Sequence, residues 1–394
     1  MVSAPHSVPS HTDPSRGLRG TNRSAVGCWL LGSLVAVLLI ACGDTVEEVV
    51  APPPTPTAIS FVPRARVVEG LPRSYQLGFT ATPAELTDVA YVESFDLAAH
   101  YGEAIVVPRA PRWAAFLPGT VESAELMALT VAERDAAAAR GLTLVVALDP
   151  FEPANRGRLA NLPPGYESRD LSDPALRQAF VAEARYIALN ERPAYLSLAS
   201  EINSTFERNP IAYQQFLLAY RDAYRTVKEV SPETRVFVTL QYEELLGVIP
   251  WLPPHVPRWE LLEDFEGRLD VIALSSFPSF VFAVARKIPP DYYLQIVERT
   301  ELPLAFLPVG FAGAPGRGGV NSSTVAEQRR FLQRLLSDAD ALPVELLIWY
   351  IGRDPAYEVG PPADLLAIIG LLDAVGAPKE AWSIWEQTVN RPLN

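Results

Sequence analysis

Histidine, lysine and cysteine are scarce in this chain of 394 residues, and each scarcity removes a class of chemistry. The four histidines are His6, His11, His100 and His255, too few and too scattered to build a His-rich hydrolytic metal centre or to place the base of a Ser-His-Asp triad. Lysine occurs only as Lys228, Lys287 and Lys379, all in predicted helices or connecting loops, so none is presented for Schiff-base chemistry. Both cysteines, Cys28 and Cys42, lie near the N-terminus, which leaves the rest of the chain without a disulfide or a thiolate metal site. Positive charge is also short, with 33 Lys+Arg against 46 Asp+Glu, a net −13 that argues against nucleic acid as a partner. No cofactor and no metal is expected.

What is present begins with Arg16, Arg19 and Arg23, followed by an apolar run over residues 25–41. The run ends in Leu39-Ile40-Ala41-Cys42-Gly43, which resembles the lipobox of bacterial lipoprotein signal peptides. Small residues on either side of the bond before Cys42 give a peptidase access, and the arginines hold the start of the chain on the cytoplasmic side. The expectation is a signal peptide over 1–41, a lipid on Cys42 and an extracytoplasmic protein of the bacterial cell envelope, held to the membrane through that lipid. An uncleaved membrane anchor is the alternative. Cleavage removes three Arg and one Asp, which takes the formal charge from −13 to −15. The Pro-rich stretch that follows, with Pro52, Pro53, Pro54 and Pro56, predicts an extended tether over 42–66.

From residue 67 to 394 short apolar runs alternate with helical patterns. Strands are predicted at 75–80, 104–108, 143–148, 195–199, 235–241, 270–275, 304–309 and 345–350. Asn209-Pro210 caps a helix carrying Tyr213, Phe216, Leu217, Tyr220, Tyr224 and Val227 at helical spacing, and Ser231-Pro232 stops it. Thr324 with Glu327 forms a capping box before Phe331, Leu332, Leu335 and Leu336, and 132–140 is a further helix. Strands that are apolar nearly throughout, each followed by a helix, imply parallel strands covered on both faces. Eight such units predict a single-domain α/β fold, a (β/α)₈ TIM barrel, with its chemistry on the loops after the strands. A doubly wound open sheet would need a glycine-rich turn after the first strand, and residues 78–83 have none.

In a barrel, the residues at strand ends form the site. The third strand leads to Asp149 and Glu152, the fourth to Glu201 and Asn203, the fifth to Tyr242, Glu243 and Glu244, the sixth to Ser275-Ser276-Phe277-Pro278 and the eighth to Trp349-Tyr350. Carboxylates, amides and aromatics suit carbohydrate: two carboxyls roughly 5–9.5 Å apart flank a glycosidic bond during hydrolysis, and aromatic faces support sugar rings. Glycine-rich 310–319 precedes the helix that starts near Thr324, a place where some barrels hold phosphate, but Arg317 is its one cation and the segment reads as a loop.

The run 195–203, the Ser275-Ser276-Phe277-Pro278 segment, Leu347-Ile348-Trp349-Tyr350 and the stretch 370–382 resemble the barrel glycoside hydrolases of clan A, endo-β-galactanase-like members in particular. The resemblance spans about residues 70–388 and implies the barrel fold, Glu201 as general acid/base and Trp349 as the floor beneath a bound sugar. It also implies a second catalytic Glu at the end of strand seven, where this chain has Pro308. Without that carboxylate the two-step retaining mechanism cannot run. Three readings follow. In one, a barrel binds oligo- or polysaccharide through Asp149, Asn203, Tyr242, Glu243 and Trp349 with hydrolysis impaired or lost. In another, a glycosidase pairs Glu201 with Asp149, Glu243 or Glu244. In the third, Glu201 is salt-bridged to Arg109 or Arg353 and the barrel is a partner-binding module.

Overall fold

β-Branched and aliphatic runs build the sheet strands of the computed structural model, which describes residues 61–121 and 123–394. Cys42, the signal peptide over 1–41 and most of the tether lie outside the described residues. The strands are β1 Gln76–Thr80, β2 Ala104–Arg109, β3 Thr143–Leu148, β4 Phe151–Glu152, β5 Asn155–Leu159, β6 Tyr195–Ser197, β7 Arg235–Phe237, β8 Thr239–Gln241, β9 Ile272–Ser276, β10 Leu304–Val309 and β11 Val344–Trp349. The helices are α1 Asp88–His100, α2 Trp113–Phe116, α3 Ala124–Ala139, α4 Pro174–Asn190, α5 Ile202–Arg208, α6 Pro210–Val230, α7 Tyr242–Leu245, α8 Leu294–Val297, α9 Val325–Ala341 and α10 Trp382–Val389.

All pairings in the main sheet are parallel, in the order β7-β6-β3-β2-β1-β11-β10-β9-β8. The two ends of that order, β7 and β8, are separated only by Val238, so the stretch predicted as one strand over 235–241 pairs with β6 by its first half and β9 by its second. The sheet therefore closes on itself as an eight-stranded (β/α)₈ TIM barrel, the predicted fold. Strand parity sorts the core into two layers. Val145 and Ala147, Leu346 and Ile348 point into the barrel, whereas Leu144, Val146 and Leu148, Leu347 and Trp349 point outward to the helices. At Gly78, on β1, a Cβ would lie 2.2 Å from the Ala104 carbonyl, so this inward position admits no side chain.

The capping signals act as their chemistry requires. The Asn209 side chain accepts from the Ala212 N–H and the Thr324 hydroxyl from the Glu327 N–H, at 3.1 and 3.2 Å. The carboxylate of Glu327 does not reach back to complete the box, because it accepts from the Ala285 N–H at 2.9 Å instead. The helix expected over 132–140 begins earlier, at Ala124, where the Ser123 hydroxyl caps it. At the N-terminal rim of the barrel, Arg66 and Arg73 each reach Glu103 at 2.6 Å, so chain from within the predicted tether range already packs on the barrel.

Candidate active site

The site forms where β6 runs out. After Ser197 the chain passes through Leu198, Ala199 and Ser200 to Glu201, which adopts left-handed φ 48° and ψ 47° as the residue before α5. A non-glycine residue in this region costs roughly 1 kcal/mol or more and is held only by its surroundings. Here the Glu201 N–H donates to the Thr239 hydroxyl at 2.8 Å, fixing the turn to the neighbouring strand β8. Its carboxylate accepts from the Ser275 hydroxyl at 2.6 Å, supplied by β9.

A cleft of about 440 Å³ opens over the barrel's C-terminal end, with Glu201, Asp149 and Glu244 as its acidic wall residues. Two of the three acids are held by arginines. Arg156, on β5, grips Asp149 with both terminal nitrogens at 2.6 and 3.1 Å and donates as well to the Ser200 carbonyl. Arg208, on α5, pairs with Glu244, which also accepts from the Ser204 hydroxyl. Glu201 has no such pair. Burial pushes its carboxyl above the usual carboxylate range, against the opposing pull of Arg156 and Ser275 and with the negative charges of Glu244 and Asp149 adding to the rise. Tyr350, at the end of β11, also lines the cleft, and burial, aided by the charge of Glu201, pushes its phenol up to about 12.

The end of β10 contributes Pro308 to the wall and no carboxylate. Glycine-rich 310–319 is a loop, with a 3₁₀ turn at Arg317–Gly319, and Arg317 is paired with Asp364 at 2.5 Å.

Of the residues expected at the site, Asp149 and Glu201 share the cleft, and so does Glu244. Four others are placed elsewhere. Trp349 does not floor the cleft: its parity on β11 turns it outward, fully buried, its indole N–H donating to the Ile369 carbonyl at 2.8 Å. The next residue, Tyr350, takes the inward position. Asn203 clasps the end of β8, donating to the Gln241 carbonyl at 2.9 Å and accepting from its N–H at 2.8 Å. Tyr242 is buried, with its hydroxyl donating to the Tyr292 carbonyl. Glu243 is fully buried and accepts from Gln241 Nε2 at 2.7 Å, the Ser276 hydroxyl at 2.7 Å, the Phe277 N–H at 3.0 Å and the Tyr292 hydroxyl at 3.1 Å. A carboxylate with so many donors is a fastening between strand ends, unavailable to a ligand.

The salt-bridge alternative for Glu201 is also overturned. Arg109 pairs with Glu133 and Glu191 behind the strands, and Arg353 donates to the Ala374 carbonyl at 2.7 Å. Arg156 was missed by sequence reasoning. It comes from a short antiparallel hairpin, β4 with β5, inserted after the third barrel strand, and no periodicity or cap marks that hairpin.

No protein-family model matches the chain, and no curated protein matches it in sequence. Solved structures do match. The exo-β-1,4-mannosidase Op5Man5 from Opitutaceae bacterium strain TAV5 superposes with a TM-score of 0.61 at 16% identity, over 81% of this chain and 61% of that one. The fold these structures share with this chain is the (β/α)₈ barrel. GH5_18 from Bifidobacterium longum subsp. longum ATCC 55813, solved in complex with Manβ1-4GlcNAc, gives 0.60 at 14% identity, over 81% of this chain and 80% of that one. The GH53 catalytic domain of Ignisphaera aggregans gives 0.53 at 15% identity, over 81% of this chain and 97% of its own length. This chain thus spans less than two thirds of the mannosidase and nearly all of the GH53 domain. At these identities the glycoside-hydrolase barrel is shared as architecture.

Proposed function

We propose that this glycoside-hydrolase barrel binds carbohydrate in the cleft over Glu201 and has lost the two-step retaining reaction. One observation carries the reading: Asp149 and Glu244 are each neutralised by an arginine while strand β10 offers Pro308, so no unpaired carboxylate among the cleft walls stands ready as a nucleophile beside Glu201. Glu201 and Ser275 remain to hydrogen-bond sugar hydroxyls, and the Tyr350 ring lines the same cleft. Because a structural neighbour is described with Manβ1-4GlcNAc, β-mannosides are the first probes, with β-1,4-galactan fragments as the second set.

Inverting hydrolysis is the competing reading. It draws on the raised carboxyl of Glu201, the property a general acid needs, with Asp149 or Glu244 as the base that activates water. Calorimetry with manno- and galacto-oligosaccharides, together with an aryl-glycoside activity screen, separates them. Binding without turnover is the expected result. Turnover that disappears in Glu201→Gln would overturn the loss of hydrolysis, and absence of both binding and turnover would overturn the carbohydrate reading in favour of a partner-binding module.

For the full chain, we propose an exported lipoprotein of the bacterial cell envelope, lipidated at Cys42. Support comes from the Arg-flanked apolar run and the small residues beside Cys42.

A further inference from the structure

The cleft is divided by chemistry along the barrel circumference. Its polar side chains come from strands on one side: Asp149 and Arg156 after β3, Glu201 and Arg208 after β6, Gln241 and Glu244 at β8. Going on around the barrel through β9, β10 and β11, apart from Ser275 the wall turns apolar, with Phe277, Phe280, Pro308, Tyr350, Leu365 and Leu366.

Four aromatic rings form a series from the rim inward, Trp251 from the loop after β8 and the other three, with Phe277 nearly buried, from that half. Trp251, 48% exposed at the rim, meets Phe280 edge-on at 5.4 Å between ring centroids. Phe280 meets Phe277 at 5.6 Å, and Phe277 meets Tyr350 at 5.9 Å. Tyr350 and Glu201 line the same cleft. The track thus begins in water and ends in the cleft that holds the Glu201 carboxyl.

Aromatic faces can support a sugar ring, but a second sugar ring is a poorer occupant of this half than a hydrocarbon chain. Its hydroxyls would be buried against Pro308, Leu365 and Leu366, which offer no side-chain partner, and each unpaired hydroxyl loses its bonds to water. A hydrocarbon chain has no such loss, and gains from leaving water.

We infer that the cleft takes an amphiphilic glycoside, its sugar headgroup against the Glu201 side and a hydrocarbon aglycone along the track from Tyr350 to Trp251. This deepens the carbohydrate reading above and rests on it.

Calorimetry on the full barrel with methyl and hexyl β-D-mannosides and β-D-galactosides, and with 1-hexanol alone, tests it. The hexyl glycoside of the sugar that binds should be at least about tenfold tighter than its methyl partner, since each buried methylene is worth up to about fourfold in affinity. Trp251→Ser should shrink that hexyl-to-methyl ratio; Trp251 is half exposed, and a thermal melt confirms that the variant folds. Equal affinity of hexyl and methyl glycosides overturns the inference and leaves sugar binding standing, as does a ratio unmoved by Trp251→Ser. Hexanol binding as tightly as the hexyl glycoside overturns the sugar headgroup, and with it the reading on which the inference rests. No binding by any probe overturns both.

Discussion

At Glu201 the backbone and the side chain are both in costly states. The residue sits at φ 48°, and its carboxyl is pushed upward by burial. Sites that bind or react tolerate such costs where a purely structural position would shed them. The sign of the pH effect follows from the direction of the shift. A carboxyl whose folded pKa lies above its unfolded one binds more protons in the folded state, so stability falls as pH rises through the interval between them. Glu201→Gln removes that penalty. The variant should be more stable than the parent at about pH 8, by on the order of 1 kcal/mol, and the gain should fade toward about pH 4. Urea melts at both pH values check this; a gain independent of pH would mean that the carboxyl is not strained by burial. At the other wall Trp349 and Tyr350 show how one position of strand parity decides a role. Both are aromatic and adjacent, yet one packs against Phe331 and Trp385 in the outer core and the other lines the cleft.

At the level of elements, the hairpin β4–β5 supplies Arg156, which organises Asp149 and the Ser200 carbonyl just ahead of Glu201. What steadies the hairpin is partly α6. Asn209 caps that helix through its oxygen and donates its amide N–H to the Gly157 carbonyl, at 3.0 Å, on β5. Asn209→Ala should therefore cost about 1–2 kcal/mol, more than an isolated cap at the low end of the range, and should weaken ligand binding through Arg156. Chemical denaturation and calorimetry on the same variant test both effects. Unaltered ligand affinity would show that the hairpin holds itself. The starts of α6 and α9 were legible because caps are local: Asn209 and Thr324 each bond to an N–H three residues on, whereas the same bond at Ser123 was passed over and α3 was started too late. The hairpin was not legible, since its two strands are short and carry neither alternation nor a turn dipeptide.

The described residues form a closed barrel whose N-terminal rim is tied down by Arg66, Arg73 and Glu103 and whose opposite end carries the cleft. The full chain should emerge from a bacterial host without its first 41 residues and with lipid on Cys42. Mass spectrometry of the purified protein and detergent partitioning check this, with Cys42→Ala expected to leave the membrane fraction; an intact N-terminus would point to an uncleaved anchor instead.

By itself the sequence determined the number of strand–helix units, their parallel arrangement, both ends of α6 and the start of α9, because hydrophobic period and capping chemistry act over a few residues. It also placed Glu201 and Pro308 at the ends of the fourth and seventh barrel strands, both of which line the cleft. Only the tertiary structure decided which carboxylates are free. Asp149 and Glu244 are neutralised by Arg156 and Arg208, from a hairpin and a helix, and Glu243 is locked by donors up to 49 residues away. Ion pairing and burial depend on distances between segments remote in sequence, and those distances exist only once the barrel has closed.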